Sequence, residues 1–290
     1  MTQSLLIRLM KTSRPFFWVI LPLAYLTGLS YSENGLSHPE FRFTPIMIFQ
    51  MIFLSFPFCI FTFGLNDLHD IASDGVNARK LKTKGIALLS EGTVLQNLSP
   101  SVIYLGALLT AIGMVSLSIL TSNRMNLFYT LSLLVLSFTY STPPWRLKTR
   151  APLDAITGGI IACLCPAAMG YTLTDTNGLL PPQLYLLTFA AMGFHAFSTI
   201  MDEEPDRAAG DPTFAVRFGK RPAALISAAA ILLLDLSLNN RFFQFFAGFC
   251  GVLIFYVALF PSAKVARRIY LIIFGMGVIL SLVWLIPFFL

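Results

Sequence analysis

Residues 45–74 read PIMIFQMIFLSFPFCIFTFGLNDLHDIASD, a long apolar run that ends in an asparagine and three aspartates. Asp67, Asp70 and Asp74 stand at i, i+3 and i+7, so they share one face if the helix of the apolar run continues. Like charges on one stripe repel each other and stay close when a cation lies between them. Oxygen ligands at this density suit a hard ion such as Mg²⁺ better than Zn²⁺, which prefers Cys and His. In a soluble protein the same pattern is also typical of a solvated helix end.

The composition indicates a polytopic membrane protein. The 290 residues are 56% hydrophobic and 12% charged, and the mean hydropathy is +0.74. Such a composition is typical of chains that cross the bilayer several times. The 20 Lys and Arg residues exceed the 14 Asp and Glu residues, and we interpret this excess as a topology signal. The lipid bilayer is therefore an expected partner, and nucleic acid is not.

Nine segments have about the length that a helix needs to cross the hydrocarbon core, roughly 20 residues. They are 15–31, 45–65, 100–121, 125–141, 153–173, 181–201, 222–239, 242–260 and 269–290. With the N-terminus in the cytoplasm, only Arg42, Arg124 and Arg241 of the basic residues lie outside, as the positive-inside rule requires. We therefore predict an all-α fold with nine transmembrane helices, a single domain over residues 1–290 and a cytoplasmic N-terminus.

A second acidic segment, MDEEPDRAAGD at 201–211, follows the sixth predicted span. Asp202 and Asp206 are i, i+4 neighbours and share a helical face. Pro205 predicts that the helix of the span ends or kinks nearby. The glycine before Asp211 and the proline after it predict a turn, which can bring Asp211 back toward the same pocket.

The two acidic segments lie in loops that the topology assigns to the cytoplasmic face: acidic loop one, about 66–98, and acidic loop two, about 201–221. Two facing clusters of carboxylates, with basic residues nearby, would form a receptor for a diphosphate bridged by Mg²⁺. The basic residues expected to hold the remaining diphosphate oxygens are Arg79, Lys80, Lys82, Lys84, Arg146 and Lys148. Loss of the diphosphate from a lipid diphosphate would leave an allylic cation, which the ring of Tyr140 is predicted to stabilise.

Four motifs in this order resemble the UbiA superfamily of intramembrane prenyltransferases over essentially the whole chain. They are Ser13-Arg14-Pro15-Phe16, Asn66-Asp67-x-x-Asp70-x-x-x-Asp74, Tyr140-Ser141-x-Pro143-Pro144-x-Arg146-x-Lys148 with Asp154, and Asp202-x-x-x-Asp206-Arg207-x-x-Gly210-Asp211-x-Thr213-x-Ala215-Val216-x-x-Gly219.

The resemblance implies nine helices around a central cavity, with the active site toward the cytoplasmic face and Mg²⁺ as cofactor. It implies transfer of a prenyl group from a prenyl diphosphate to a lipophilic acceptor through an allylic carbocation. Two Mg²⁺ ions would be held by Asn66, Asp67, Asp70 and Asp74 on one side and by Asp202, Asp206 and Asp211 on the other. Asp67, Asp70, Asp202, Asp206 and Tyr140 are the residues expected to carry the reaction.

The acceptor is open between two classes. The stretches Asn77-x-Arg79-Lys80 and Phe194-His195-Ala196-Phe197-Ser198 are similar to the branch that prenylates carotenoids, the lycopene elongases. An aromatic precursor of a quinone or chlorophyll type would need a cationic partner, which Arg146, Lys148 or Arg150 could supply. Many members of the quinone pathways carry an Arg-Pro pair where this chain has Lys82, Lys84 and Gly85.

His195 has two possible roles. It lies about two helical turns before Asp202 on nearly the same face, so it could take a proton from the cation that forms after attack. A histidine within a membrane helix is also a common hydrogen-bonding partner between helices. The non-enzyme alternative for the whole chain is a membrane transporter that uses the rim carboxylates as an ion site. A transporter predicts charged residues near the bilayer midplane, and the crowding of carboxylates at one rim favours the enzyme.

Overall fold

The computed structural model describes residues 4–70, 98–175, 179–238 and 240–286. Within these ranges the chain is helical and contains no strand. The helices are α1 (Leu5–Ser13), α2 (Ile20–Tyr31, after a 3₁₀ turn at Pro15–Phe17), α3 (Pro45–His69), α4 (Pro100–Leu120), α5 (Arg124–Ser141), α6 (Leu153–Thr172), α7 (Pro182–Met201), α8 (Glu203–Ala209), α9 (Phe214–Phe218), α10 (Lys220–Ser237), α11 (Arg241–Leu259) and α12 (Ala263–Leu285).

Six of the helices in the described ranges are long and apolar enough to cross a membrane: α3, α4, α6, α7, α11 and α12. Each coincides with one of the predicted spans, so the prediction of an all-α chain with membrane-length helices is confirmed. The remaining predicted spans coincide with α5, α10 and the segment Pro15–Tyr31, which are shorter or less apolar. Nine crossings and a central cavity therefore stay predictions.

The membrane helices begin where the local sequence favours a helix start. α3, α4 and α7 each have proline in the first turn, where its fixed φ suits a helix and its missing N–H costs no bond. The Asn123 side chain accepts the backbone N–H groups of Met125 and Asn126 at the start of α5. These caps satisfy donors that the helix itself leaves without a partner.

The chain divides into two compact units. Unit 1 comprises Met1–Arg146 and Cys165–Gly178, and unit 2 comprises Leu147–Leu164 and Leu179–Leu290. The first part of α6 belongs to unit 2 and its last part to unit 1. The prediction of a single domain over 1–290 stays a prediction.

In unit 1, α2 and the last part of α6 approach each other closely at two glycines. A Cβ on Gly28 would lie 1.8 Å from the carbonyl oxygen of Ala167, and one on Gly170 would lie 2.1 Å from that of Tyr25. Any side chain at either position would force the two backbones apart. Small residues thus allow the tight helix contact that membrane helices commonly use.

Unit 1 also contains a buried network of polar side chains. The Gln50 amide donates to Asn126 Oδ1 at 2.8 Å, and Tyr25 donates to Gln50 Oε1 at 3.0 Å. Ser118 donates to Asn126 Oδ1, and the Asn126 amide donates to the carbonyl of Met169. The network joins α2, α3, α4, α5 and α6, and such bonds hold helices together where apolar burial alone has little driving force.

In unit 2 the core lies where α7, α10 and α11 pack together. Phe197, Ala224 and Ile254 have no exposed surface. A Cβ on Gly193 would lie 2.9 Å from that of Ala230, so α7 and α10 are in close contact. This core fixes the end of α7, where the second acidic segment begins.

Two membrane helices contain a short π-helical segment. In α3 it spans Ile60–Gly64, and in α6 it spans Ile160–Leu164. The first comes directly before the turn Leu65–His69, which carries Asn66 and Asp67. Because π-helical turns shift the face of every later residue and occur often at functional sites, this segment sets the direction of the first acidic cluster.

Candidate active site

The first acidic cluster lies at the C-terminal end of α3. The helix ends at His69, and at Asp70 the backbone leaves the helical region with φ −103° and ψ 5°. The helix of the apolar run therefore ends one residue before Asp70. Asp74 lies outside the described residues, as do Arg79, Lys80, Lys82 and Lys84. Their metal-binding and diphosphate-binding roles stay predictions.

Asp67 is paired with Arg14, which lies between α1 and the turn Pro15–Phe17. Arg14 Nη2 donates to Asp67 Oδ1 at 2.7 Å, and each side chain is only 14% exposed. The guanidinium also lies over the ring of Phe63, 4.4 Å from its centroid. A guanidinium held by a carboxylate and a ring face is fixed in one orientation.

Two further members of the cluster, Asn66 and Asp70, contact the end of α5 and the segment after it. Arg146 Nη2 donates to Asp70 Oδ1 at 3.2 Å, and Asp70 is buried. The hydroxyl of Ser141 donates to Asn66 Oδ1 at 3.3 Å. Tyr140 precedes Ser141 in the last turn of α5. The structure thus brings Asn66, Asp70 and Arg146 together within unit 1.

Both arginines of this cluster have left-handed backbone conformations. Arg14 has φ 52° and Arg146 has φ 38°. A positive φ is uncommon for residues other than glycine and persists where the surrounding contacts enforce it. Of the three non-glycine residues with positive φ in the described ranges, two are therefore the partners of Asp67 and Asp70.

The second acidic cluster is built from a break, a short helix and a turn. α7 ends at Met201, and α8 begins at Glu203. The break lies slightly earlier than Pro205, which occupies the first turn of α8, where its missing N–H breaks no helical bond. Asp202 precedes α8, and its carbonyl accepts the N–H of Asp206 at 2.8 Å.

The predicted turn after α8 is confirmed. Gly210 has φ 75°, and the N–H of Asp211 returns to the carbonyl of Asp206 at 2.9 Å. The hydroxyl of Thr213 then donates to Asp206 Oδ2 at 2.9 Å. Glycine is the residue that adopts this left-handed conformation without strain. The turn brings the backbone N–H of Asp211 back to Asp206, and the return of the Asp211 carboxylate toward the same pocket stays a prediction.

Three bonds hold the backbone after this turn against α7 and the start of α6. The N–H of Phe214 donates to Asp154 Oδ2 at 2.6 Å, and the N–H of Ala215 donates to Thr199 Oγ1 at 3.0 Å. The N–H of Ala151 donates to the carbonyl of Pro212 at 3.1 Å. All of these residues belong to unit 2. The segment that carries the end of the acidic cluster is therefore tied to two membrane helices.

Glu203 lies in the same acidic stretch but is bound within it. Its carboxylate accepts a hydrogen bond from the Arg207 guanidinium and lies 3.2 Å from Lys220 Nζ. The Arg207 hydrogen bond holds the pKa of Glu203 below its usual range; Lys220 acts in the same direction, and burial opposes both. Glu203 is thus a structural member of the cluster.

His195 packs against the backbone of α6. A Cβ on Gly158 would lie 2.7 Å from His195 Nδ1, so the imidazole occupies the space that glycine leaves. The base and packing roles of His195 both stay predictions.

Lys148, in the 3₁₀ turn Leu147–Thr149 of unit 2, is half-buried.

The donor set fits a hard divalent cation, because the predicted ligands Asn66, Asp67, Asp70, Asp202, Asp206 and Asp211 all offer oxygen. Across the described part of the chain, no three His, Cys, Asp or Glu side chains form a group that could hold a metal ion. Magnesium binding by these residues therefore stays a prediction.

Three site residues carried no assigned role at the level of sequence. Arg14 and Asp154 stood in the quoted motifs without a function, and Thr213 stood in the motif that follows Asp202. Hydrogen bonds across 53, 60 and 7 residues connect them to Asp67, Phe214 and Asp206. The sequence signals for Arg14 are its place in the motif Ser13-Arg14-Pro15-Phe16 and its position beside the first predicted span, at the membrane face predicted for the aspartates.

Comparison with protein families and characterised relatives gives one family. The model of the UbiA prenyltransferase family matches residues 20–277. A lycopene elongase/hydratase of Haloarcula japonica is 32% identical over 75% of this chain and 69% of its own length. Proteins with the same name are 31% identical in Halobacterium salinarum, over 77% of this chain and 78% of theirs, and in Corynebacterium glutamicum, over 78% and 74%.

Solved structures with a similar fold come from the same family. A UbiA homologue from Archaeoglobus fulgidus aligns over 97% of this chain and 98% of its own, with a TM-score of 0.66 and 16% identity. The structure of that homologue bound to GPP and Mg²⁺ aligns over 95% of this chain and 98% of its own, with a TM-score of 0.65 and 16% identity. At this identity the likeness concerns the fold.

Proposed function

Since the chain belongs to the UbiA prenyltransferase family, we propose that it transfers a prenyl group from a prenyl diphosphate to an acyclic carotenoid of the lycopene type, with Mg²⁺ as cofactor. As a prenyltransferase with six membrane-length helices, it is an integral membrane enzyme. The observation that carries the proposal is the family match over residues 20–277 in a chain that is 31–32% identical to proteins named lycopene elongase/hydratase.

The metal ligands we propose are Asn66, Asp67, Asp70 and Asp74 in the first cluster and Asp202, Asp206 and Asp211 in the second. When bound, Mg²⁺ would stabilise the negative charge of the departing diphosphate. The residues proposed to bind diphosphate oxygens are Asn66, Arg79, Lys80, Lys82, Lys84, Arg146 and Lys148. Arg146 supports this role because its guanidinium already lies beside Asp70, 3.2 Å from its carboxylate.

The proposed reaction breaks the bond between the allylic carbon and the diphosphate oxygen, and the electron pair leaves with the diphosphate. The allylic carbon then bonds to a terminal alkene carbon of the acceptor, which leaves a new cation on the acceptor. Loss of a proton from that cation restores an alkene, and His195 is the base we propose. Tyr140 would stabilise the allylic cation with its ring.

The proposed acceptor is supported by the names of the relatives and by the stretches Asn77-x-Arg79-Lys80 and Phe194-His195-Ala196-Phe197-Ser198, which are similar to the lycopene elongases. The name lycopene elongase/hydratase belongs to relatives that are 31–32% identical. Their names favour the carotenoid acceptor over an aromatic one, and the family match favours prenyl transfer over ion transport. We further propose that the N-terminus and the active site face the cytoplasm, on the distribution of Lys and Arg described above.

The proposal is tested by incubating membranes that contain the protein with labelled prenyl diphosphates of several lengths and a panel of acceptors. We expect lycopene to gain the mass of the donor's prenyl group, less one proton, and EDTA to stop the reaction until Mg²⁺ is restored. Transfer to an aromatic quinone precursor but not to lycopene would contradict the acceptor, and absence of transfer to any acceptor would contradict the activity.

Two isosteric variants test the site. We expect Asp67→Asn and Asp202→Asn each to lower turnover more than about 100-fold, because each removes a charged metal ligand. Glu204→Gln is the matched control, since Glu204 lies in the same acidic stretch with its side chain 81% exposed. Membrane insertion is checked in parallel. Near wild-type, Mg²⁺-dependent turnover in either aspartate variant would count against the site.

A further inference from the structure

Asp154 is a buried carboxylate far from either acidic cluster in sequence. It lies in the first turn of α6 and is 1% exposed. Its Oδ2 accepts the backbone N–H of Phe214, 60 residues later, at 2.6 Å. A carboxylate is a strong acceptor for an N–H group, and the N-terminal turn of a helix favours its negative charge. The bond therefore fixes the backbone at Phe214.

The residue before Phe214 connects this bond to the second acidic cluster. The hydroxyl of Thr213 donates to Asp206 Oδ2 at 2.9 Å, and the N–H of Thr213 donates to the carbonyl of Asp211 at 2.8 Å. A shift of the Phe214 amide would carry the Thr213 hydroxyl away from Asp206. The position of Asp206 thus depends on the bond that Asp154 makes.

Two neighbouring bonds support the same segment. Thr199 accepts the N–H of Ala215 from α7, and Pro212 accepts the N–H of Ala151 from the segment before α6. Thr213, Phe214 and Ala215 are all buried. Three bonds to consecutive parts of one short segment exceed what a simple connection between α8 and α9 requires.

We propose that Asp154 is a positioning residue of the reaction: it holds the segment at 212–215 so that Thr213 orients the carboxylate of Asp206 toward its metal ion. This inference rests on the proposed role of Asp206 as a metal ligand. Asp154 itself contacts neither substrate nor metal in this scheme. Residues that orient a metal ligand in this way typically change metal affinity or activity by about 10–100-fold when replaced.

The first readout is amide hydrogen exchange of the full chain in lipid nanodiscs, without substrate or metal. Asp154→Leu removes the acceptor, so we expect the amides of Phe214 and Ala215 to exchange about tenfold faster. Asp154→Asn keeps an acceptor oxygen and is expected to retain most of the protection. Thr157→Val is the matched control: Thr157 lies one turn later in α6 and bonds the carbonyl of Leu153, so wild-type exchange is expected.

The second readout is the Mg²⁺ concentration that gives half-maximal prenyl transfer. We expect Asp154→Leu to raise it about tenfold, with Asp154→Asn and Thr157→Val near wild type. A role confined to stability would lower the amount of folded enzyme without changing this concentration. If Asp154→Leu does not fold, Thr199→Val removes the adjacent bond and is expected to act in the same direction with a smaller shift.

Three results would overturn the inference: unchanged exchange at Phe214 in Asp154→Leu, equal effects of the Leu and Asn variants, or a loosened segment with an unchanged Mg²⁺ requirement. If Asp154→Leu does not fold, wild-type exchange and an unchanged Mg²⁺ requirement in Thr199→Val would overturn it as well. Absence of prenyl transfer by the wild type would instead contradict the proposed function, whereas the exchange experiment tests the bond of Asp154 independently.

Discussion

The two acidic clusters reach their geometry in opposite ways. In the first, Asp67 and Asp70 each contact an arginine from a distant part of the chain, 53 and 76 residues away. In the second, Asp206 contacts a neutral hydroxyl seven residues away, and the backbone around it is tied down by hydrogen bonds. Asp67 and Asp70 of the first cluster are thus held by ion pairs, whereas the contact described for Asp206 of the second is a hydrogen bond to a hydroxyl in a segment fixed by backbone hydrogen bonds.

This difference predicts different responses to substitution. Ion pairs that are mostly removed from water are sensitive to the loss of one partner, because the other charge is left poorly compensated. Hydrogen bonds between neutral and charged groups contribute less, about 1.5–3 kcal/mol each. Substitutions of the partner residues should therefore have larger effects in the first cluster than in the second.

The largest effect is expected for Arg14→Gln. Losing the guanidinium leaves Asp67 without a mostly buried ion pair, and we expect kcat/KM to fall about 100-fold. The loss of stability should stay below the about 3–5 kcal/mol typical of a fully buried pair, because both side chains keep 14% exposure. Steady-state kinetics and thermal unfolding in detergent measure the two effects.

Arg14→Lys is the matched control, because it keeps the charge but not the planar group that lies over Phe63. We expect partial recovery of activity, since an ammonium replaces the charge without the geometry of the guanidinium. Wild-type kinetics in Arg14→Gln would remove the distinction between the two clusters.

Much of the fold could be predicted from sequence. Long apolar segments bounded by proline, asparagine or charged residues have few alternatives to a membrane helix. Over the residues that the structure describes, each of the predicted ranges overlaps a helix. The π-helical turns at Ile60–Gly64 and Ile160–Leu164 were not predictable, because an extra residue in one turn depends on packing. The similarity to the UbiA superfamily is confirmed by the family match.

The site was predictable as a set of residue types but not as a set of contacts. Asp67, Asp70, Asp202 and Asp206 stand out because they are grouped at helical spacing directly after long apolar segments. Their partners do not stand out, since a single arginine or threonine beside a span has many possible roles. Pairings across 53 or 60 residues depend on how the helices pack, which composition and periodicity do not specify.

A smaller effect is expected for Thr213→Val, which tests the second cluster directly. Valine keeps the shape of threonine but removes the hydroxyl that donates to Asp206. We expect the half-saturating Mg²⁺ concentration to rise about tenfold, which corresponds to about 1.4 kcal/mol and lies near the lower end of the range for a hydrogen bond to a charged group. Thr213→Ser keeps the hydroxyl and should stay near wild type. If Thr213→Val instead lowered kcat/KM as much as Arg14→Gln does, both clusters would depend equally on single partner residues.

The smallest effect is expected for Glu203→Gln, and it concerns stability rather than turnover. Glu203 is bound by Arg207 and Lys220, and the Arg207 bond in particular lowers its pKa in the folded protein. A carboxyl with a lowered folded-state pKa stabilises the fold fully above its unfolded pKa, about 4.3, and loses that contribution as pH falls through the folded value.

At pH 7 we therefore expect Glu203→Gln to be less stable than the wild type by on the order of 1 kcal/mol, since Arg207 is largely exposed and the pair is partly screened. The two proteins should converge when the pH falls well below 4, because the wild-type carboxyl is then protonated. Thermal unfolding at pH 7 and at low pH measures this difference. A gap that persists at low pH would mean that Glu203 stabilises the segment through packing and not through its charge.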